Sequence, residues 1–180
     1  MKHYFEQTEK KNLKLNLINK FIYATSKNLP KLDKITVYSK KPNVDYKFLV
    51  SAALALKIIT NQKCTFILSK KPNAFLKLRK GQPVGAKLTL RRKNKNNFAT
   101  KILFDIFLDS KNVTNFNNLN CSSNSLTLLN SNIFVFKELE NHFNTFQRVQ
   151  SFHIMYTTNS VTKKENCFVL KFYKVPVNLF

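Results

Sequence analysis

Between Asp45 and Asp105 the chain carries no acidic residue, while lysine and arginine recur through the whole interval. Lys63, Lys70, Lys71, Lys77, Arg79, Lys80, Lys87, Arg91, Arg92, Lys93 and Lys95 all fall within it. Cations without acidic neighbours do not shuttle protons. They neutralise phosphates, and each phosphate met releases condensed counterions, so even six contacts make binding steeply salt-dependent. Phe75 sits among these charges and either stacks on an unpaired base or anchors its loop by apolar contact. Asn73 and Gln82 add amide groups to the same loop.

Other chemistries find little support. His3, His142 and His153 have no acid or cysteine beside them at a spacing that makes a site. Glu138 and Glu140 are the nearest acidic pair and read as solvated surface in a turn. Cys64, Cys121 and Cys167 are far apart, odd in number and without metal spacing, which makes them structural or incidental. No catalytic residue, metal or cofactor is expected.

The elements that must position the basic stretch begin with its glycines. The chain has two, Gly81 and Gly85, where average usage would give roughly a dozen. Gly81 permits a turn with positive φ before Pro83. Gly85 permits a bulge or the close approach of another backbone. Pro83 removes a donor and stiffens the re-entry between them. These residues serve a simple turn, or they hold a basic loop at 70–82 as a projecting finger.

A strand is expected at 84–91, with Ala86, Leu88 and Leu90 on one face and Lys87, Thr89 and Arg91 on the other. The cationic face is either a platform for a phosphate backbone or an ordinary solvated face. Upstream, a helical pattern covers 4–24, and a short strand alternates Ile35 and Val37 against Thr36 and Tyr38. Asp45 is placed to cap a helix at 46–60 that is apolar on most sides and so expected to be deeply packed. Residues 63–69 read as a strand with Cys64, Phe66 and Leu68 on one face. Downstream, 95–108 reads as a helix and the Ser/Asn-rich segment 110–125 as a flexible loop. Strands are expected at 131–139 and 149–159. Thr162 and Glu165 form a capping-box pattern for a last helix at 163–173. Strands and helices mix without a regular βαβ alternation, which makes the fold α+β.

The 180 residues suit one domain, 1–180, with a substantial core, since 43% are hydrophobic and 17 are Phe. The formal net charge of +22 is extreme for a folded chain and calls for a polyanion, with nucleic acid ahead of an anionic membrane. No apolar run reaches the roughly 18–20 residues of a membrane span. The segment 1–11 carries Glu6 and Glu9 and no arginine, unlike a transit peptide, and lacks the apolar block of a secretory signal. The product is therefore expected to work where it is made. Abundant Lys, Asn, Phe, Ile and Tyr with scarce Gly, Ala and Pro is what AT-rich codons yield, as in an organelle genome.

The runs "NLPKLDKITV", "LALKIITNQK" and "SKKPNAFLKLRKGQPVGAKLTLR" resemble, in order and spacing, the large-subunit ribosomal protein L-five family. The last block matches the family pattern at Lys70, Lys71, Phe75, Arg79, Gly81, Pro83, Gly85, Thr89, Leu90 and Arg91. The likeness is close over about residues 28–98 and looser to the end. It implies a two-layer fold, an antiparallel sheet with helices packed on one side, in the central protuberance of the ribosome.

By that resemblance, the 70–82 loop reaches toward peptidyl-site transfer RNA, and Lys70, Lys71, Lys77, Arg79 and Lys80 touch its backbone or nearby large-subunit rRNA. An rRNA-binding face would comprise Tyr38, Gln62, Lys63, Lys87, Thr89, Arg91, Arg92 and Lys93. Gln62 and Thr89 match positions the family uses on 5S rRNA. Tyr38 stands where the family has Asn, "SKKP" replaces the glycines after it, and Asn61 replaces the glycine before Gln62. The 5S contact therefore stays open. The family's glycine-rich segment near 117–132 is replaced by "NNLNCSSNSLTLLNSN", which leaves any bridge to a small-subunit protein open too. The implied role is a structural constituent of the large subunit, partnered by rRNA, transfer RNA and neighbouring ribosomal proteins. A mitochondrial, organelle-encoded copy is favoured over a plastid or bacterial one. Alternatives are a free-standing basic RNA-binding regulator and a membrane-surface protein, for which 10–24 comes nearest to a basic amphipathic helix.

Overall fold

The computed structural model describes residues 12–41, 45–104 and 116–175, with 116–120 described by backbone alone. Among these, helix α1 spans Lys14–Lys20, α2 Tyr46–Thr60, α3 Arg92–Ile102, α4 Lys137–Glu140, α5 Phe143–Phe146 and α6 Lys163–Phe172. Strand β1 spans Leu32–Lys40, β2 Thr65–Leu68, β3 Pro83–Arg91, β4 Phe116–Cys121, β5 Ser125–Asn130 and β6 Phe152–Thr158. The strands form one sheet in the order β2-β3-β1-β6-β5-β4, antiparallel at every pairing.

Alternation along the strands builds the two layers. Ile35 and Val37 of β1, Ala86, Leu88 and Leu90 of β3, Ile154 and Tyr156 of β6, and Leu126 and Leu128 of β5 are buried in one core. The helices cover that face. The opposite row stays partly open: Thr36, Tyr38, Thr89, His153, Met155 and Thr127 are all only partly buried. This is the α+β architecture expected from the sequence, with the sheet clad on one side.

Several elements differ from expectation in instructive ways. Helix α1 stops at Lys20, with Phe21 extended, while residues 4–11 of the expected helix lie outside the described residues. Helix α2 has the expected span, but its outer side stays uncovered. Tyr46, Val50, Leu54 and Ile58, four apart on one stripe, are 78%, 57%, 42% and 37% exposed. Asp45 occupies the cap position of α2 without accepting a cap hydrogen bond. In β2, Phe66 and Leu68 are half exposed because the strand lies at the sheet's edge.

The stretch 131–139 is not a strand. Asn130 Oδ1 accepts from Asn132 N at 3.1 Å and Asn132 Oδ1 from Phe134 N at 3.0 Å, and these side chains turn the backbone into a 3-10 turn at Ile133–Val135 followed by α4. The strand lies just upstream, as β5. Of the expected loop at 110–125, residues 110–115 lie outside the described residues, and 116–121 form β4.

Candidate nucleic-acid interface

The basic stretch folds into a hydrogen-bonded finger between β2 and β3. At its base, Ser69 N donates to Gln82 O at 2.8 Å and Gly81 N to Ser69 O at 2.9 Å. Halfway out, Asn73 and Leu78 exchange backbone hydrogen bonds at 3.0 and 2.9 Å. Lys77 N closes on Ala74 O at 3.1 Å to form the tip. Lys77 has φ 50 and Gly81 φ 82. Lys77 therefore holds a left-handed conformation that costs an L-residue about 1–2 kcal/mol, whereas Gly81 adopts it freely.

Two of the amides singled out in the sequence brace this finger. Gln82 Oε1 accepts from Arg79 N at 3.1 Å, and Asn73 Oδ1 accepts from Leu76 N at 3.4 Å. Phe75 at the tip is 98% exposed, so it anchors nothing within the chain. Lys70, Lys71, Lys77, Arg79 and Lys80 are all exposed around it. An aromatic ring in water at the end of a braced, cationic projection has its faces free to stack.

Gly85 explains how the finger's root joins the sheet. It pairs with Lys40 of β1, and a Cβ there would collide with the Ser39 carbonyl oxygen and stand 3.1 Å from Lys40 Cα. The backbones of β1 and β3 approach so closely that no other residue fits.

On the open sheet face the register assembles rows that cross strands. Lys87 lies opposite Tyr38, and Tyr38 opposite His153. Thr89 lies opposite Thr36, then Met155; Arg91 lies opposite Lys34, then Thr157. Gln62 reaches the β3 backbone from just past the end of α2. Its Nε2 donates to Thr89 O at 3.2 Å, and its Oε1 accepts from Asn94 Nδ2 at 3.2 Å. The turn that delivers Gln62 is made by Asn61, in the left-handed region at φ 54 as the C-cap of α2. Asparagine tolerates that conformation better than other non-glycine residues, so it can stand where the L-five pattern has glycine.

Tyr38 is stacked on His153, with ring centroids 4.7 Å apart and planes 4° from parallel. Lys40 Nζ lies over the Tyr38 ring, 5.1 Å from its centre and within cation–π range. Burial pushes the Tyr38 phenol up and the His153 imidazole down, with Lys40 adding to the second effect. His153 Nδ1 is buried without a hydrogen-bond partner, as suits a neutral ring.

The junction of β3 and α3 gathers Arg91, Arg92 and Lys93, all exposed, at a helix N-terminus that has no acidic residue in its first turn and no side-chain cap. Cations beside the positive end of a helix dipole are unfavourable alone and favour a bound anion. Lys63 is exposed next to Gln62. Lys95, counted among the basic residues of the stretch, turns inward instead, and its Nζ donates to Leu32 O at 2.6 Å. Lys34 and His153 on the open face, and Asn94 of α3 beside Gln62, were not named as binding residues from sequence. The alternation of β1 and β6 marks Lys34 and His153 as off the core; only the register puts them beside Arg91 and Tyr38.

No family model matches the chain. It is 33% identical over 182 residues to large ribosomal subunit protein uL5m of Reclinomonas americana, covering 98% of this chain and 96% of that protein. It is 32% identical to large ribosomal subunit protein uL5 of Malacoplasma penetrans, covering 93% and 90%, and 28% identical to uL5 of Blochmanniella floridana, covering 93% and 89%. Identity above 30% across nearly the whole of both chains, on a sheet clad on one side with a braced basic finger, shows that this chain belongs to the uL5 family of large ribosomal subunit proteins.

Proposed function

We propose that this chain is a structural constituent of the large subunit of a mitochondrial ribosome, binding rRNA through its open sheet face and presenting the finger at 70–82 to peptidyl-site transfer RNA. The single observation that carries the second half is Phe75, fully exposed at the end of a braced loop among five exposed cations. An apolar ring in water contributes nothing to folding, whereas stacking on a base removes it from water.

The rRNA half rests on the exposed cations Lys63, Lys87, Arg91, Arg92 and Lys93 around the Gln62–Thr89 contact, together with the excess of 22 positive charges. Gln62 and Thr89 hold the places for a 5S rRNA contact, and Tyr38 changes its terms. The likeness to a uL5m protein and the AT-type composition support mitochondrial residence. Among the described residues no helix is long and apolar enough to cross a membrane.

Sedimentation in high salt tests the reading. A subunit protein stays with the large subunit through a sucrose cushion at salt that strips loosely bound RNA-binding proteins. Release into the soluble fraction at that salt would favour a free-standing RNA-binding regulator.

A further inference from the structure

Sequence spacing sets Cys121 and Cys167 forty-six residues apart, yet the fold brings their Sγ atoms to 3.6 Å. Cys121 is the last residue of β4 and half buried, and Cys167 is buried on α6. The backbone on both sides is already fixed. Asn166 Nδ2 donates to Ser122 O at 2.8 Å, Ser160 Oγ to Ser123 O at 2.6 Å, and Thr158 N to Asn124 O at 2.8 Å. Thr158 Oγ1 completes the network by donating to Asn166 Oδ1 at 2.9 Å. The turn after β4 is thus pinned to the first turns of α6 and the end of β6. Closing the sulfurs to a disulfide bond asks only for about 1.5 Å of side-chain movement.

We propose that Cys121 and Cys167 are a disulfide-forming pair that staples the end of edge strand β4 to α6 when the chain meets a small-molecule disulfide such as oxidised glutathione. The Cys121 thiolate attacks one sulfur of the oxidant, giving a mixed disulfide and releasing one small thiol. Cys167 then attacks the Cys121 sulfur, the protein S–S bond forms, and the second small thiol leaves. Two protons and two electrons pass from the protein to the oxidant, which ends as two thiols. Cys121 is the entry point because it is the more accessible of the two. Burial and the hydrogen bond between its S–H and the Cys167 sulfur hold the Cys121 thiol above the usual range, with Lys163 pulling the other way, so exchange is slow at neutral pH. Cys64 lies elsewhere, its Sγ 3.7 Å from Ala53 O, and serves as the internal control.

The experiment is to incubate the purified full-length chain with oxidised glutathione, alkylate the remaining thiols, and map disulfides by non-reducing mass spectrometry alongside thermal unfolding. The expected result is a Cys121–Cys167 link with Cys64 alkylated. The melting temperature should rise by about 5 °C or more, because the link closes a long loop in the unfolded chain. Dithiothreitol should reverse the rise, and Cys121→Ser and Cys167→Ser should each abolish it while folding normally. Stable glutathione adducts on Cys121, a link to Cys64, or three free thiols after prolonged oxidation would each overturn the proposal. The readout does not depend on ribosome binding.

Discussion

Gly85 sits so close to Ser39 that a β-carbon on it would occupy the space of the Ser39 carbonyl oxygen. One of the chain's two glycines is thereby tied to the spacing of β1 and β3, the strands that carry Tyr38 and Thr89. Gly85→Ala must push these strands apart, and overpacking of this kind costs about 1–3 kcal/mol. Gly81→Ala meets nothing within 4 Å and pays for its φ of 82 alone, about 1–2 kcal/mol. Urea unfolding should show both losses. Gly81→Asn should recover part of the second, while Gly85→Asn should be worse than Gly85→Ala.

Phe75→Ala should leave the melting temperature within error, because the ring touches nothing in the chain. The same change should weaken binding to transfer RNA by the worth of one base stack, about 1–3 kcal/mol. Lys80→Ala should act differently, lowering the slope of log affinity against log salt by about one if Lys80 meets a phosphate. Filter binding across a salt series separates the two effects. A Phe75→Ala protein that melts markedly lower would show the ring packed within the chain.

Asn61 offers a test of how this chain lives without a family glycine. At φ 54 it caps α2 and delivers Gln62 to Thr89. Asn61→Gly should be neutral or slightly stabilising, and Asn61→Ala should cost about 1 kcal/mol. Thermal unfolding of the two variants checks the order.

The His153–Tyr38 stack makes stability depend on pH in a predictable direction. Burial and Lys40 lower the imidazole pKa in the folded protein, so the unfolded chain binds the proton more tightly. The stabilising contribution is therefore complete above the unfolded value near 6.5 and is lost as pH falls through it toward the folded one. Lys40 and Lys87 are the cations near this pair, and Tyr38 stays neutral throughout. His153→Phe keeps a ring on Tyr38 and removes the proton. Its melting temperature should fall less than the parent's between pH 7 and 5.5, as calorimetry at each pH would show.

The parts of the fold legible in sequence were those with local signals. Alternation of Ile35 and Val37 gave β1, that of Ala86, Leu88 and Leu90 gave β3, and Thr162 with Glu165 gave the capping box of α6, where both reciprocal hydrogen bonds are present. The hairpin of β4 and β5 was hidden because Asn and Ser crowd it and its turn is held by distant partners, Asn166 and Ser160. The apolar run Ile133–Phe136 imitates a strand, and only the side chains of Asn130 and Asn132 reveal the turn. Charge marked the finger, but its bracing, the exposure of Phe75 and the inward turn of Lys95 are tertiary facts. The same holds for the pairs Tyr38–His153 and Cys121–Cys167, which depend on register and packing across long stretches of chain.

The most direct test of the account is crosslinking within purified mitochondrial ribosomes, with the attached RNA sequenced and the crosslinks located on the protein. Transfer RNA joined at residues 70–82, and ribosomal RNA joined near Gln62, Thr89 and Arg91–Lys93, is the predicted outcome. Crosslinks confined to protein, or to RNA that is neither ribosomal nor transfer, would contradict it.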